Sequence, residues 1–315
     1  MAHDKFKCPW FFMMVGLPGS GKSTFASDYL PRDFAVHSSD YLRQELLGDV
    51  NDQSKQADVF AELHRRVFRD LNAGKDVIYD ATNLNYKRRM QFLQELRRNV
   101  ESVWAVCILI PTPYQECLRR NADRERVVPE SVIERMYRSF DPPMYAEGWD
   151  EIWIRGMPNY ETLGEDRMNL IRSMSAVEHD NPHHTLSVGQ HSILAYFYTL
   201  TMLGEEENGV LAQAALLHDI GKPFTKVFKN HRGEPSEIAH FYNHEHVSAY
   251  DSYQYSSGTP DERTEIATLI RWHMHPYTVN RSDNPTKTEN KIKNLLGADT
   301  YQKILLLHQA DEAAH

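Results

Sequence analysis

The stretch FFMMVGLPGSGKSTFASDYL, residues 11–30, decides how the first half of the chain reads. Five apolar residues, Phe11 to Val15, run without polar alternation, as a strand buried on both faces does. A glycine-rich turn follows, and Lys22–Tyr29 reads as a helix. The turn itself, GLPGSGKS from Gly16 to Ser23, fits GxxxxGK[ST], a pattern that requires a strand before it and a helix after it. Its glycines let main-chain N–H groups face a phosphate, and the helix N-terminus adds partial positive charge at the same point. The expected nucleotide seat is Gly16, Gly19, Ser20, Gly21, Lys22, Ser23 and Thr24. Lys22 is placed to reach the β- and γ-phosphates of ATP, and the Ser23 hydroxyl to hold Mg²⁺.

Outward from this turn, short apolar runs alternate with amphipathic stretches, which predicts a parallel sheet flanked by helices. Strands are expected at 11–15, 35–38, 76–79, 103–110 and 151–154. Helices are expected at 22–29, 41–47, 57–71, 87–97, 113–121 and 129–139. Beyond residue 156 β-rich runs are few, and the stretches 187–201, 210–218, 244–254, 264–272 and 300–311 read as helices. The expected architecture is therefore an α/β P-loop domain over 1–158 followed by an all-α domain over 165–315, the boundary falling near Gly156–Gly164. A length of 315 residues suits two domains.

Composition narrows the classes. The chain carries a net charge of −9, which argues against a protein that coats nucleic acid. Residues 1–155 hold 22 Lys+Arg against 23 Asp+Glu, and residues 156–315 hold 13 against 21. Thirteen of the 16 histidines lie in the second part, so a borderline metal is to be sought there. Cys8, Cys107 and Cys117 form no CxxC pair, which implies a reducing, cytoplasmic setting. The run Trp10–Val15 is far too short to span a bilayer, and no membrane partner is expected.

Three features around the turn bear on its chemistry. VHSSDYLR ends the second strand with Asp40, which reads either as a cap of the next helix or as a general base that accepts the proton of an attacking hydroxyl. VIYDATNLN ends the third strand with Asp80, placed either to hold Mg²⁺ through water or to close a turn. CLRRNADRERVVP carries Arg119, Arg120, Arg124 and Arg126 along a helix end and the loop after it. Such a cluster is either a solvated face or the cationic surround that phosphoryl transfer needs. Taken in order, GLPGSGKST, SSDYLR, YDATNLN and RRNADRERVVPESVIERM resemble the polynucleotide 5′-kinase family of P-loop phosphotransferases over residues 8–155. The resemblance implies a catalytic base at Asp40, an acceptor-phosphate arginine at Arg43 and catalytic lid arginines at Arg120 and Arg124. It implies transfer of the γ-phosphate of ATP to a 5′-hydroxyl of RNA or DNA. The DxDxT phosphatase motif of many family members is missing from this sequence.

In the second half, ALLHDIGKP sets His218 beside Asp219 at the end of an apolar helix. Adjacent helical residues point apart, so a simple ion pair is disfavoured and a metal beside the helix end could collect both. VGQHSILAY supplies His191 upstream; FYNHEHVSAY, LIRWHMHP and LLLHQADEAAH supply His244, His273 and Asp311 downstream. The order H…HD…H…H…D, with HDNPHHTLSVGQH before it, resembles the HD-domain metal-dependent phosphohydrolases over about residues 165–315. Mixed imidazole and carboxylate ligands suit Mn, Fe, Co, Ni or Zn. His191, His218, Asp219 and Asp311 would hold one ion, His244 and His273 would complete a second, and Lys222 would neutralise phosphate charge. His183, His184, His240, His246 and His275 are left out of the ligand set.

Together the two resemblances imply an end-healing enzyme: a kinase restores the 5′-phosphate of a broken RNA strand, and a metal phosphoesterase clears its 2′,3′-cyclic, 2′- or 3′-phosphate. No KxDG ligase motif is present, so sealing would fall to a separate RNA ligase. Two other readings stand beside this one. A small-molecule or nucleoside kinase fused to a nucleotide phosphohydrolase fits the negative charge, and a nucleotide-gated regulator would use the metal half to sense or signal.

Overall fold

The computed structural model describes residues 8–156, 161–182 and 185–314, so His183 and His184 lie outside the described residues. The chain divides into two compact units, 8–133 with 143–156 and 134–142 with 161–314.

The first unit is built on a five-stranded parallel sheet in the order β2-β3-β1-β4-β5. The strands are β1 (Trp10–Val15), β2 (Ala35–Ser38), β3 (Val77–Asp80), β4 (Trp104–Leu109) and β5 (Glu151–Ile154). Between them run α1 (Lys22–Tyr29), α2 (Ser39–Leu47), α3 (Gln56–Asn72), α4 (Tyr86–Asn99), α5 (Tyr114–Ala122) and α6 (Glu130–Tyr137). Each residue of Phe11–Val15 is buried, as a central strand covered by helices on both faces requires. Phe12 and Met14 join Ala26, Leu30, Phe34, Val106 and Ile108 in the core beneath α1, while Phe11 meets Tyr79 and Phe92 on the opposite face. The strand order reverses at β1, which pairs with β3 on one side and β4 on the other. The glycine turn therefore opens at the carboxyl edge of the sheet, at the switch point where ligands of such sheets bind.

The second unit is helical: α7 (Leu163–Ser175), α8 (Val188–Met202), α9 (Val210–Leu217), α10 (Lys222–Thr225), α11 (His244–Tyr255), α12 (Pro260–Trp272), α13 (His275–Asn280), α14 (Pro285–Leu296) and α15 (Ala298–Ala313). It also carries an antiparallel hairpin, β6 (Lys226–Lys229) and β7 (Pro235–Phe241), where the sequence reading had no strand. The hairpin turns on Asn230, whose side chain accepts from the N–H groups of Arg232 and Glu234. Helices α7 and α14 escape the periodicity reading because each buries almost nothing: Leu163 and Met174 on α7, Ile292 alone on α14.

Residues 134–142 belong to the second unit, unlike the expected cut near Gly156–Gly164 that left them all in the first. Three contacts explain why. The Tyr137 hydroxyl donates to Asp251 Oδ2 at 2.6 Å, Arg138 donates to the Phe224 carbonyl, and Arg271 Nε donates to Asp141 Oδ1 at 2.8 Å. Among the described residues no helix is long and apolar enough to cross a membrane.

Candidate active sites

The glycine turn closes tightly on α5. Gly19 has φ +81°, and a Cβ there would lie 2.3 Å from the Cys117 carbonyl oxygen, so only glycine lets the loop fold against that helix. Lys22 is buried and donates inward to the carbonyls of Gly16 (3.0 Å) and Leu17 (2.8 Å). Burial pushes its ammonium pKa down; the Asp80 and Asp40 carboxylates oppose that shift, and Arg124 adds to it. These groups thus share one electrostatic field at the turn. Ser23 Oγ donates to Asp80 Oδ2 at 2.7 Å, so the two residues expected to hold Mg²⁺ are already together. Arg120 Nη1 lies 3.4 Å from where a Cβ of Gly21 would sit, which brings the lid helix to the loop.

The acceptor side is assembled at the start of α2. Ser38 caps that helix, its hydroxyl accepting from the Asp40 N–H at 3.3 Å, so Asp40 is not the cap. Instead its carboxylate pairs with Arg43 Nη1 through Oδ1 at 2.8 Å and with Arg126 Nη1 through Oδ2 at 2.5 Å. The sequence grouped Arg126 with the other lid arginines and gave no signal of this pairing. Arg119, by contrast, is spent on Glu116 and Asp123.

The second unit gathers all six expected ligands. His191 Nε2 lies 3.2 Å from His218 Nε2 and 2.9 Å from Asp311 Oδ1. His244 Nε2 lies 3.2 Å from His273 Nε2. Asp219 stands between the pairs, with Oδ2 3.3 Å from His218 and Oδ1 3.4 Å from His244. Gly221 makes this approach possible, because a Cβ there would lie 2.6 Å from the His244 carbonyl oxygen.

Each histidine turns its other nitrogen to a main-chain carbonyl: His191 to Ala314, His218 to Ala215, His244 to Phe241 and His273 to Ile270. That contact holds the proton on Nδ1 and aims the Nε2 lone pair inward, the outer-shell arrangement of ligating imidazoles. Lone pairs 3.2 Å apart repel unless a cation lies between them. At metal–nitrogen distances of about 2.0–2.1 Å, neighbouring ligands sit roughly that far apart. Both oxygens of Asp219 are buried, Oδ2 facing His218 and the Lys222 ammonium and Oδ1 facing His244. The donor set therefore fits a divalent ion; His191, His218 and Asp311 form one group, and His218, Asp219 and His273 another.

Charge within the cluster tells the same story. Burial would lower the His218 pKa, but Asp219 and then Asp311 overcome it and raise it to about 10. Burial, followed by the neighbouring imidazoles of His218 and His244, pushes His273 down to about 3. A metal would replace the proton that the carboxylates draw in.

Lys222 sits differently from its expected phosphate role. It is buried, its Nζ 2.6 Å from Asp219 Oδ2 and 3.1 Å from His179 Nε2. His179 was not singled out from the sequence, although it opens the HDNPHH text. Tyr277, whose hydroxyl donates to Asp311 Oδ2 at 3.1 Å, carried no sequence signal at all. His246 turns to the Phe140 carbonyl and His240 stacks on Tyr242, both away from the ligand set.

Residues 11–143 match the family model described as an AAA domain, and residues 184–311 match that described as an HD domain. Among curated proteins the chain is similar to L-seryl-tRNA(Sec) kinase of Methanococcus maripaludis, with 26% identity over 144 residues covering 44% of this chain and 55% of that protein. It is also similar to transcription factor bHLH140 of Arabidopsis thaliana, with 29% identity over 147 residues covering 44% of this chain and 15% of that one. The chain thus spans about half the length, or less, of these curated relatives. Among solved structures it resembles a chain of the Pnkp1/Rnl/Hen1 RNA repair complex, with 23% identity, a TM-score of 0.36, and coverage of 42% of this chain and 44% of that one. The chain thus carries a region matching an AAA domain followed by one matching an HD domain.

Proposed function

We propose that this P-loop kinase and HD fusion heals RNA ends, phosphorylating 5′-hydroxyls with ATP and removing 2′,3′-cyclic, 2′- or 3′-phosphates. The observation that carries the reading is the pairing, on one chain, of a phosphate-binding turn beside an Asp–Arg acceptor cluster with a converging His/Asp metal cluster. Two opposite phosphate chemistries are what a broken strand with a 5′-hydroxyl and a blocked 3′ end requires. The similarity to a protein named as a seryl-tRNA kinase is in keeping with an acceptor borne on RNA.

In the first unit, ATP would draw Lys22 from its loop carbonyls to the β- and γ-phosphates, with Ser23 and Asp80 holding Mg²⁺. Asp40 would take the proton of the attacking 5′-hydroxyl as the new O–P bond forms and the γ-phosphoryl leaves ADP. Arg120 and Arg124 would meet the charge on the moving phosphoryl group, and Arg43 the acceptor phosphate. In the second unit, His191, His218, Asp219, His244, His273 and Asp311 would hold one or two transition-metal ions. Such an ion acidifies water and polarises a phosphoryl oxygen. Lys222, once its pairing with Asp219 is relieved by metal, would be available to a substrate phosphate.

The direct test supplies RNA strands with each end. With ATP, the 5′-hydroxyl should gain a phosphate. With Mn²⁺, Co²⁺, Ni²⁺ or Zn²⁺, the cyclic and monoester 3′ ends should be cleared. The net charge of −9 favours a second reading, a small-molecule kinase joined to a nucleotide phosphohydrolase. That reading takes over if every RNA end survives while free nucleosides and nucleotides turn over.

Asp40→Asn should lower kinase turnover by about 10²–10⁴-fold while ATP affinity stays close to wild type, since general-base assistance is of that size and acts on the acceptor. Steady-state kinetics with an ATP-binding titration checks this. A variant as fast as wild type removes Asp40 from the base role.

A further inference from the structure

The β6–β7 hairpin is inserted between two candidate ligands, Asp219 and His244, and the chain at both of its ends reaches the cluster. Ahead of it Lys222 pairs with Asp219, and at its close the Phe241 carbonyl accepts from His244 Nδ1 at 2.8 Å. One side of the hairpin lies against the unit. Ala239 is buried, Lys226 donates to the Glu178 carbonyl and to Asp180, and Phe241 meets the His179 ring. Side chains alternate along a strand, so His240 and Tyr242 point the other way from Phe241. They stack on each other with ring centroids 5.3 Å apart and 8° between their planes. Ser236 Oγ, 3.3 Å from His240 Nε2, holds the first ring in place, and Tyr242 stays 39% exposed.

Two parallel rings with an exposed outer edge to the stack invite a third flat ring. An unpaired base supplies one whatever its identity, because every base has a π-face. Aromatic and histidine side chains serve single-stranded RNA in this way. The charge around the stack fits the same occupant. Residues 220–233 hold Lys222, Lys226, Lys229 and Arg232 and no acidic residue, although residues 156–315 carry 13 Lys+Arg against 21 Asp+Glu. Lys222 and Lys226 are paired with Asp219 and Asp180, whereas Lys229 and Arg232 are exposed and form no ion pair among the described residues. Exposed cations beside an aromatic stack match a polyanion with flat bases and not an apolar peptide. Position matters too. Tyr242 is two residues from His244, at most about 7 Å of main chain. A strand whose terminal phosphate lies at the cluster therefore passes the stack within its last nucleotides.

We propose, on the end-healing reading, that the β6–β7 hairpin is a docking platform for single-stranded RNA that delivers a 3′ end to the His/Asp cluster. A base near that end continues the His240–Tyr242 stack, and Lys229 and Arg232 at the hairpin tip meet phosphodiesters farther along the strand. The platform reads no sequence. It makes the metal unit select a strand terminus over a free nucleotide, although both carry the same phosphate group.

The test uses the full-length protein with Mn²⁺ and two substrates that share a 2′,3′-cyclic end, a single nucleotide and a short single-stranded RNA carrying a 5′-phosphate. Losing a base stack typically costs about 5- to 100-fold, so wild type should prefer the strand by that much in kcat/KM. Tyr242→Ala should lose most of this preference through KM on the strand, with the single nucleotide turned over as by wild type. Tyr242→Phe, which keeps the ring, should retain it. Lys229→Glu with Arg232→Glu should weaken the strand's binding and flatten its salt dependence. Fluorescence anisotropy of the same RNA without added metal should show the same order of affinities. Equal kcat/KM on both substrates in wild type overturns the inference, and so does an unchanged preference in Tyr242→Ala. If Tyr242→Ala disturbs His244 and loses both substrates, the double variant at the exposed tip decides, and an unchanged strand preference there overturns the inference. If wild type turns over the single nucleotide and leaves every strand end intact, the end-healing reading itself fails and takes this inference with it.

Discussion

Asp219→Ala is expected to abolish the metal-dependent phosphoesterase activity and with it the thermal stabilisation that a transition-metal ion confers. The expectation follows from where the carboxylate stands. One oxygen faces His218 and the ammonium of Lys222, and the other faces His244. Removing it leaves four inward-facing imidazole nitrogens with only Asp311 as counter-charge, and it leaves the buried ammonium of Lys222 without its ion-pair partner. A ligand present at about 100 times its Kd stabilises a folded protein by about 2.7 kcal/mol. For a domain of this size that is a rise in Tm of roughly 5–10 °C. Wild type should show such a rise with Mn²⁺, Co²⁺, Ni²⁺ or Zn²⁺, and Asp219→Ala should show almost none. His244→Ala and His273→Ala should fall between the two, because each leaves His191, His218, Asp219 and Asp311, the set expected to hold the first ion, in place. An Asp219→Ala variant that keeps both hydrolysis and the metal-induced shift would remove this carboxylate from the ligand set.

Much of this arrangement could be read from the sequence because its signals are local. The run Phe11–Val15 declares a strand buried on both faces, and the turn after it is a contiguous motif. His218 and Asp219 are neighbours in the chain, and the other four ligands lie at or beside the ends of helices that the sequence reading anticipated. Contacts that depend on where a loop lands were not readable. Nothing in RRNADRERVVP says that Arg126 rather than Arg124 will meet Asp40, because the loop path is set by Asn121 holding Val128 and by Arg126 reaching Asn51. Nor does the text around Tyr277 point to Asp311, since their contact arises from the packing of α13 and α15. The hairpin was missed because its strands are short and mostly half-buried or exposed, so they show no apolar alternation. That residues 134–142 pack with the second unit is not readable for a related reason. Helix α6 reads as one amphipathic element, and only the partners Asp251, Phe224 and Arg271 show with which unit its end packs.

Lys22→Ala is expected to abolish phosphoryl transfer to 5′-hydroxyl ends while the metal phosphoesterase continues. In the structure Lys22 is held by its own loop, donating to Gly16 and Leu17, with burial lowering its pKa and the carboxylates of Asp80 and Asp40 opposing that shift in part. A buried lysine bonded only to loop carbonyls is poised to exchange them for phosphate oxygens. Losing one preorganised electrostatic donor at a reacting centre typically costs about 10²–10³-fold in kcat. Lys22 meets both the departing and the transferred phosphate, so the loss should be at least that large. The deletion also strips two carbonyls of their donor, which costs about 1–3 kcal/mol if they stay buried. Lys22→Met, which keeps the aliphatic stem in place, separates that structural cost from the chemical one. Both activities are measured on one preparation, with circular dichroism to establish that it is folded. The ligands of the metal cluster all belong to a compact unit that does not include Lys22. Hydrolysis of a 3′-blocked RNA by Lys22→Met should therefore match wild type. A folded variant that loses both activities would mean that the two chemistries share a site, and the two-site reading would have to be abandoned.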